Sequence, residues 1–238
     1  MAKTVADVMQ MVKDNDVKFV DFRFTDTRGK WQHITVPISQ FDEEKMEEGQ
    51  AFDGSSIAGW KGIEASDMLM APDASTAFID PFVEETTLVL VCDVIEPTDG
   101  KAYDRDPRSI AKRAETYLKA SGLGDTAFFG PEPEFFLFDE VRWSTEPNNT
   151  FYAIDDYEAP WNSGTKLEGG NRGHRNRVKG GYFPVAPIDS TIDMRNEMVQ
   201  ILEAVGVPVE VHHHEVAGAG RRRDGLPGTG VHAAPAQS

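Results

Sequence analysis

Residues 191–216 read TIDMRNEMVQILEAVGVPVEVHHHEV, and this stretch decides the fold class of the second half of the chain. Thr191 to Val205 is predicted helical, Gly206 stops the helix, and Val207 to Val216 follows at once as a strand. That succession marks an α/β region. The histidines His212, His213 and His214 lie inside the strand. Alternation along it puts His213 and Glu215 on one face and Glu210, His212 and His214 on the other. One face thus offers a carboxylate and an imidazole to a site, and a packed structural histidine cluster is the competing account. Zinc is a rival ligand for such a run. A closed zinc site, however, takes four ligands, usually with thiolates, and the single cysteine, Cys92, is distant in sequence. Carboxylate oxygens favour the hard ions Mg²⁺ or Mn²⁺.

Upstream, Gly130-Pro131-Glu132-Pro133-Glu134-Phe135-Phe136 sits in a strand predicted over Ala127 to Phe138. Residues two apart share a face, so Glu132 and Glu134 project together, and paired carboxylates repel unless a cation or proton lies between them. An exposed acidic edge is the alternative. Between the two stretches, 143–177 is polar and without periodicity. It runs into a basic, glycine-rich loop, Gly169 to Pro184, carrying Arg172, His174, Arg175, Arg177 and Lys179. Either a bound anion or a solvated loop balancing an acidic surface accounts for it.

The first hundred residues have a different texture. Val5, Val8, Met9 and Val12 recur at helical spacing over 3–14. Val17–Phe24 and Trp31–Pro37 are strands joined by the polar turn 25–30. A short acidic helix over 42–48 leads to the loop Phe52 to Trp60, whose Asp53-Gly54-Ser55-Ser56 lets backbone approach a ligand or simply makes a turn. Thr86 to Ile95 is a buried strand, and its Cys92 is expected to be a buried thiol in a reducing compartment. Glu96 to Gly100 reads as a domain boundary. Beyond it Asp106 is the N-cap, Pro107 the first residue and Gly122 the stop of a helix.

Composition bounds the function. A net charge of −16 opposes binding to nucleic acid or to an anionic membrane, both of which attract Lys and Arg. No apolar run approaches the roughly 20 residues of a membrane span. The N-terminus has no secretory h-region, so the expected location is the cytoplasm.

Order and spacing together resemble one family. Phe52 to Ser56 with Ala65-Ser66-Asp67 downstream, Gly130 to Phe136, Lys179 to Pro184 and His212 to Ala217 are similar to successive segments of bacterial type I glutamine synthetases, over about residues 4 to 220. The resemblance implies an α+β chain: an N-terminal β-grasp-like domain (1–103), then the first half of a catalytic α/β domain with a curved antiparallel sheet (104–220), incomplete. It implies glutamate–ammonia ligation driven by ATP, through γ-glutamyl phosphate, with two divalent ions (Mg²⁺ or Mn²⁺). By position, Glu134 and Glu215 would bind one ion and Glu132 the other, with Glu210 near ATP. Asp53, Ser56, Tyr182 and Glu215 would hold ammonium, with Asp53 taking its proton. Asp53 and Trp60 would serve a neighbouring subunit's site in two stacked hexameric rings. A ligase using another amine, and a non-catalytic half-subunit joining a full-length partner, are the alternatives.

The resemblance also exposes a departure. A further ion ligand belongs eight residues after Glu215, where Arg223 stands, and the other half of such a subunit would carry the remaining ligands. From Arg221 the composition turns to Arg, Gly, Ala and Pro, so 221–238 reads as a non-family tail, expected to be disordered. Arg223 to Pro227 can be encoded CGA GAT GGG CTT CCG. Skipping one base gives GAG ATG GGC TTC, or Glu-Met-Gly-Phe, which restores the family pattern. A one-base frame change near codon 221 explains the tail, and the truncated chain is expected to be inactive. Sequencing the encoding DNA from codon 210 onward should reveal this second frame continuing open with the missing ligands; a closed frame there refutes the explanation.

Overall fold

The computed structural model describes residues 2–159, 175–177 and 179–216, with the backbone of 229–233. It divides into two compact units, Met1–Ala127 and Phe128–Ser238.

In the first unit helix α1 (Val5–Asp14) begins at a reciprocal cap. The Thr4 hydroxyl accepts from Asp7 N at 3.3 Å, and the Asp7 carboxylate accepts from Thr4 N at 2.7 Å. Strands β1 (Phe19–Thr25) and β2 (Trp31–Pro37) form an antiparallel hairpin. Asp26 closes its turn by accepting from Arg28 N and Lys30 N. Helix α2 (Glu43–Glu48) precedes β3 (Gln50–Asp53), β4 (Asp67–Pro72), β5 (Phe78–Ile79) and β6 (Thr87–Ile95).

The mixed sheet has the order β2-β1-β6-β4-β3, with β5 also pairing β6 and with β1 and β6 parallel. Its central place in the sheet goes with an almost uninterrupted apolar run: Leu88, Val89, Leu90, Cys92 and Val94 are fully buried. Val8 of α1 seals one face of this core together with Phe22, Met68 and Met70. Burial pushes the Cys92 thiol well above its ordinary pKa, so it stays protonated.

Helix α3 (Pro107–Ser121) ends at Gly122, whose φ of 71° supplies the left-handed stop. Its N-cap, Asp106, is fully buried. The carboxylate accepts from Arg108 N, Ser109 N, the Ser109 hydroxyl and Val94 N, so it joins the helix to β6. Arg108 reaches Asp93 at 2.9 Å and Asp73 at 2.6 Å. These contacts pack α3 against the sheet of the first unit.

The second unit holds β7 (Glu134–Phe135), β8 (Glu140–Glu146), β9 (Asn149–Asp155), α4 (Ile192–Ala204), β10 (Val209–His214) and β11 (Thr229–Ala233). One sheet has the order β10-β11-β7, and β8 pairs with β9. Two expectations change here. The strand expected over 127–138 shrinks to two residues, because Pro131 and Pro133 cannot donate to a ladder. Part of the polar segment 143–177 is a hairpin, held by the cross-strand pairs Trp143↔Tyr152, Val141↔Ile154 and Thr145↔Thr150 around a Pro147-Asn148 turn. In the tail expected to be disordered, Thr229–Ala233 forms β11. The basic loop from Gly169 to His174, with Val178, and Arg223 lie outside the described residues. Among the described residues no helix is long and apolar enough to cross a membrane.

Removing the Asp106 carboxylate leaves the first turn of α3 and the Val94 amide without an acceptor in a dry site. Asp106→Ala should destabilise the first unit by about 2–3 kcal/mol, seen as a lower thermal midpoint. A loss under about 0.5 kcal/mol would show that the cap does not hold helix to sheet.

Candidate functional site

The three histidines of β10 divide into different roles. His212 accepts at Nδ1 from Arg195 Nε at 3.2 Å, so its proton sits on Nε2, which donates to Asn196 Oδ1 at 3.0 Å. Burial and the Arg195 charge lower its pKa, in keeping with a neutral ring. Arg195 is itself 1% exposed, forked onto Asp189 and donating to Thr191 Oγ1 at 2.6 Å. This ring therefore ties strand to helix.

His214 is 2% exposed. Its Nδ1 faces the carbonyls of Gly181 at 2.8 Å and Glu215 at 3.0 Å, and its Nε2 faces Glu158 Oε2 at 2.6 Å. Acceptors on both sides require both nitrogens to donate, so the ring is an imidazolium paired with a carboxylate. Burial alone would lower its pKa, but the hydrogen bond and charge of Glu158 raise it. Burial would likewise raise the Glu158 pKa, and the hydrogen bonds from His214 and from Ser190 outweigh that and lower it.

His213 points the other way. Its ring meets Tyr182 edge-on at 5.2 Å and Phe183 at 5.3 Å, and Nδ1 lies 3.4 Å from Glu215 Oε1. Gly181 makes this possible. A Cβ there would stand 2.5 Å from the Glu215 carbonyl oxygen, so only glycine lets the 179–184 loop lie against the end of β10. The structure thus brings Tyr182, His213 and Glu215 together. Glu134 pairs in register with Gly230, which pairs with His213, so Glu134 shares that sheet face.

Other expected residues are placed differently. Glu132 is exposed just before β7. Glu210 is exposed where the register slips between Val209 and Val211. That bulge interrupts the simple alternation that would align it with His212 and His214. In the first unit Asp53 accepts from Ser55 N at 2.8 Å, Ser55 Oγ at 2.6 Å and Ser56 Oγ at 3.2 Å. These bonds, the Ser55 hydroxyl first, lower its pKa and keep it a carboxylate. Trp60 corrects an expectation: it does not face outward toward a neighbour but is 5% exposed, packed on Phe24 and Tyr103. The apolar character that makes an exposed indole conspicuous equally makes it a core residue.

Sequence reading missed Asp156, Glu158, Ser190, Asp189 and Arg195. The one available signal was the acidic run Asp155-Asp156-Tyr157-Glu158 inside an otherwise featureless segment. Glu132, Glu134 and Glu215 suit a hard divalent ion in kind. In number they fall short: among the described residues no group of three or more His, Cys, Asp or Glu converges to hold a metal.

The sequence pattern described as the glutamine synthetase beta-Grasp domain matches residues 16–97, and that of the glutamine synthetase catalytic domain matches 104–222. The chain belongs to the glutamine synthetase family. It is 60% identical over 214 residues to the glutamine synthetase of Salmonella typhimurium, covering 90% of this chain and 46% of the relative. It is 57% identical over 218 residues to that of Vibrio cholerae, covering 92% and 46%. It is also 70% identical over 225 residues to a 3-hydroxylaminophenol mutase of Cupriavidus pinatubonensis, covering 94% and 48%. Among solved structures, Plasmodium falciparum glutamine synthetase superposes with a TM-score of 0.84 at 25% identity, over 98% of this chain and 44% of that one. The chain spans about half the length of the curated relatives it matches. The family's catalytic pattern stops at residue 222, so β11 is built from residues beyond it.

The Glu158–His214 pair should mark the pH dependence of the second unit. The His214 contribution is complete below its ordinary value of 6.5 and fades as pH rises through the raised folded value. That of Glu158 is complete above 4.5 and fades as pH falls through the lowered folded value. The stability difference between the native chain and His214→Gln should therefore be greatest between these ordinary values and shrink on either side. A difference independent of pH would show that the pair is not ionised.

Proposed function

We propose that this chain is the N-terminal half of a glutamine synthetase-type subunit and is inactive alone. The observation that carries the proposal is the docking of Gly181 against β10, which gathers Tyr182, His213 and Glu215 beside Glu134 on one sheet face. These residues fall in segments matched to the family's catalytic domain. In the complete enzyme Glu134 and Glu215 would hold one divalent cation, Mg²⁺ or Mn²⁺, and Glu132 a second. Such ions, when bound, neutralise the charge of a nucleotide's phosphates. Among the described residues this chain supplies too few converging ligands to hold such an ion alone.

Other roles belong to the protein's own groups. Glu210 would lie near ATP. Asp53, ionised and held by Ser55 and Ser56, would present a carboxylate suited to ammonium, with Ser56, at a neighbouring subunit's site that the partner subunit's Tyr182 and the partner subunit's Glu215 would complete. The ionised state also fits Asp53 for taking a proton from ammonium. The ligation joins ammonia to the side-chain carboxylate of glutamate, activated as γ-glutamyl phosphate. Assembly follows the family's two stacked hexameric rings, and a cytoplasmic location follows from the same membership.

The 70% identity to the 3-hydroxylaminophenol mutase carries a second reading, that the complete protein acts on 3-hydroxylaminophenol. One experiment addresses both. Residues 1–220 are joined to the C-terminal half of the Salmonella typhimurium relative, and glutamine formation and 3-hydroxylaminophenol turnover are assayed beside the chain alone. The chain alone should form no glutamine. The joined protein should ligate, and Glu215→Ala should lower its rate by at least about 100-fold. A joined protein that folds and assembles without ligating would overturn the reading, as would glutamine formation by the chain alone.

A further inference from the structure

The three-stranded sheet of the second unit is completed by a segment outside the family pattern. β11 lies between β10 and β7 and runs antiparallel to both. On one side Thr229 to Ala233 pair with the run from His214 back to Val209. On the other side Thr229 and Gly230 pair with Phe135 and Glu134. Among the described residues neither β7 nor β10 pairs with any other strand. Without β11 each would present a row of unpaired amides and carbonyls to the other, and such rows accept any chain able to match their spacing. The space between β7 and β10 is therefore a slot for one extended segment, held by main-chain hydrogen bonds.

The present occupant is poorly suited to stay there. Gly230 and Ala233 are of types depleted in strands. Pro227 and Pro235 flank the segment and lack the N–H that would lengthen the ladder. The pairing with β10 is also interrupted where the register shifts between Val209 and Val211. β11 lies past residue 222, where the catalytic pattern stops, and the chain covers 46% of the Salmonella typhimurium relative, which therefore has further sequence of its own. We propose that β11 is an exchangeable placeholder. The slot's other occupant is an extended, proline-free segment of the second half of a synthetase subunit, supplied by a separate polypeptide. This role rests on the half-subunit reading above and adds to it the surface that receives the partner and the way it is received, by strand exchange. A segment richer in β-branched residues than Thr229–Ala233 is favoured in the competition.

The probe is a synthetic peptide of about ten residues, the length of a long strand, taken from the Salmonella typhimurium relative just after its counterpart of β10. It is titrated into the 238-residue chain and into Val231→Pro, where a proline in a central strand expels β11 from the ladder. Binding is read by fluorescence anisotropy and strand pairing by amide hydrogen exchange. The native chain should bind the peptide saturably, with residues 211–214 keeping their protection while 229–233 lose theirs. Val231→Pro should bind at least about 10-fold tighter, since no occupant has to leave. The same peptide with a central proline should bind neither chain. Absence of saturable binding to the native chain would overturn the proposal, and so would binding that leaves 229–233 protected. Affinity no higher in a folded Val231→Pro would do the same; if that variant does not fold, the exchange pattern of the native chain decides alone. Dimers that form with concentration and trade 229–233 between copies, without peptide uptake, would assign the slot to a second copy and also overturn it. Ligation by the joined protein without peptide uptake by the chain would remove this inference and leave the half-subunit reading standing.

Discussion

The second unit is organised around one buried ion pair. Glu158 lies 56 residues before His214 in the chain, and their contact at 2.6 Å fixes three segments at once. Ser190 donates to the same carboxylate, and the imidazolium's other N–H holds the Gly181 carbonyl. An isolated carboxylate or imidazolium would be strongly disfavoured in so dry a place. Each is tolerated because the other is present and because every remaining lone pair or proton finds a partner. Tyr182 and Glu215 owe their proximity to this arrangement, although neither touches Glu158.

The first unit depends on apolar burial instead. Leu88, Leu90, Cys92 and Val94, alternating along β6, join Val8 of α1 in one core cluster. A buried polar anchor is Asp106, which receives a strand amide and a helix turn in the same carboxylate. Asp53 stands at the end of β3 and on a turn whose two serines hold it ionised. The fold therefore delivers a formed carboxylate without needing any residue of the second unit to charge it.

How far the sequence revealed this depended on the range of the interactions. Thr4 with Asp7, and Asp106-Pro107 with Gly122, are local signals acting within a few residues, and the helices they bound are where the pattern put them. The run at 87–95 was equally clear, since burial on both faces leaves a continuous apolar text. The β8–β9 hairpin was hidden because its pairs, such as Trp143 with Tyr152, become apolar neighbours only after the turn has formed. Pro131 and Pro133 flank promising carboxylates yet forbid the long strand that Phe128 to Phe138 suggests. Trp60 was misplaced for the opposite reason: an aromatic ring's sequence context does not say which side of a loop is inside. Tyr182, Glu134 and Glu215 are singled out only through their resemblance to a family. Asp156 and Glu158 had no such signal, because the chemistry that singles them out is supplied by His214 and Ser190, far along the chain.

β11 runs between β7 and β10, built from residues past the end of the family's catalytic pattern. A gap between strands selects its occupant by amide and carbonyl spacing, which every non-proline residue shares, and is nearly blind to side-chain identity. The sheet is thus a poor proofreader. A segment without a carboxylate, Thr229–Ala233, is seated between Glu134 and His213 in a layer that is fully hydrogen-bonded in pattern. Hydrogen-bonded shape and the supply of ligands are therefore separable properties of such a layer.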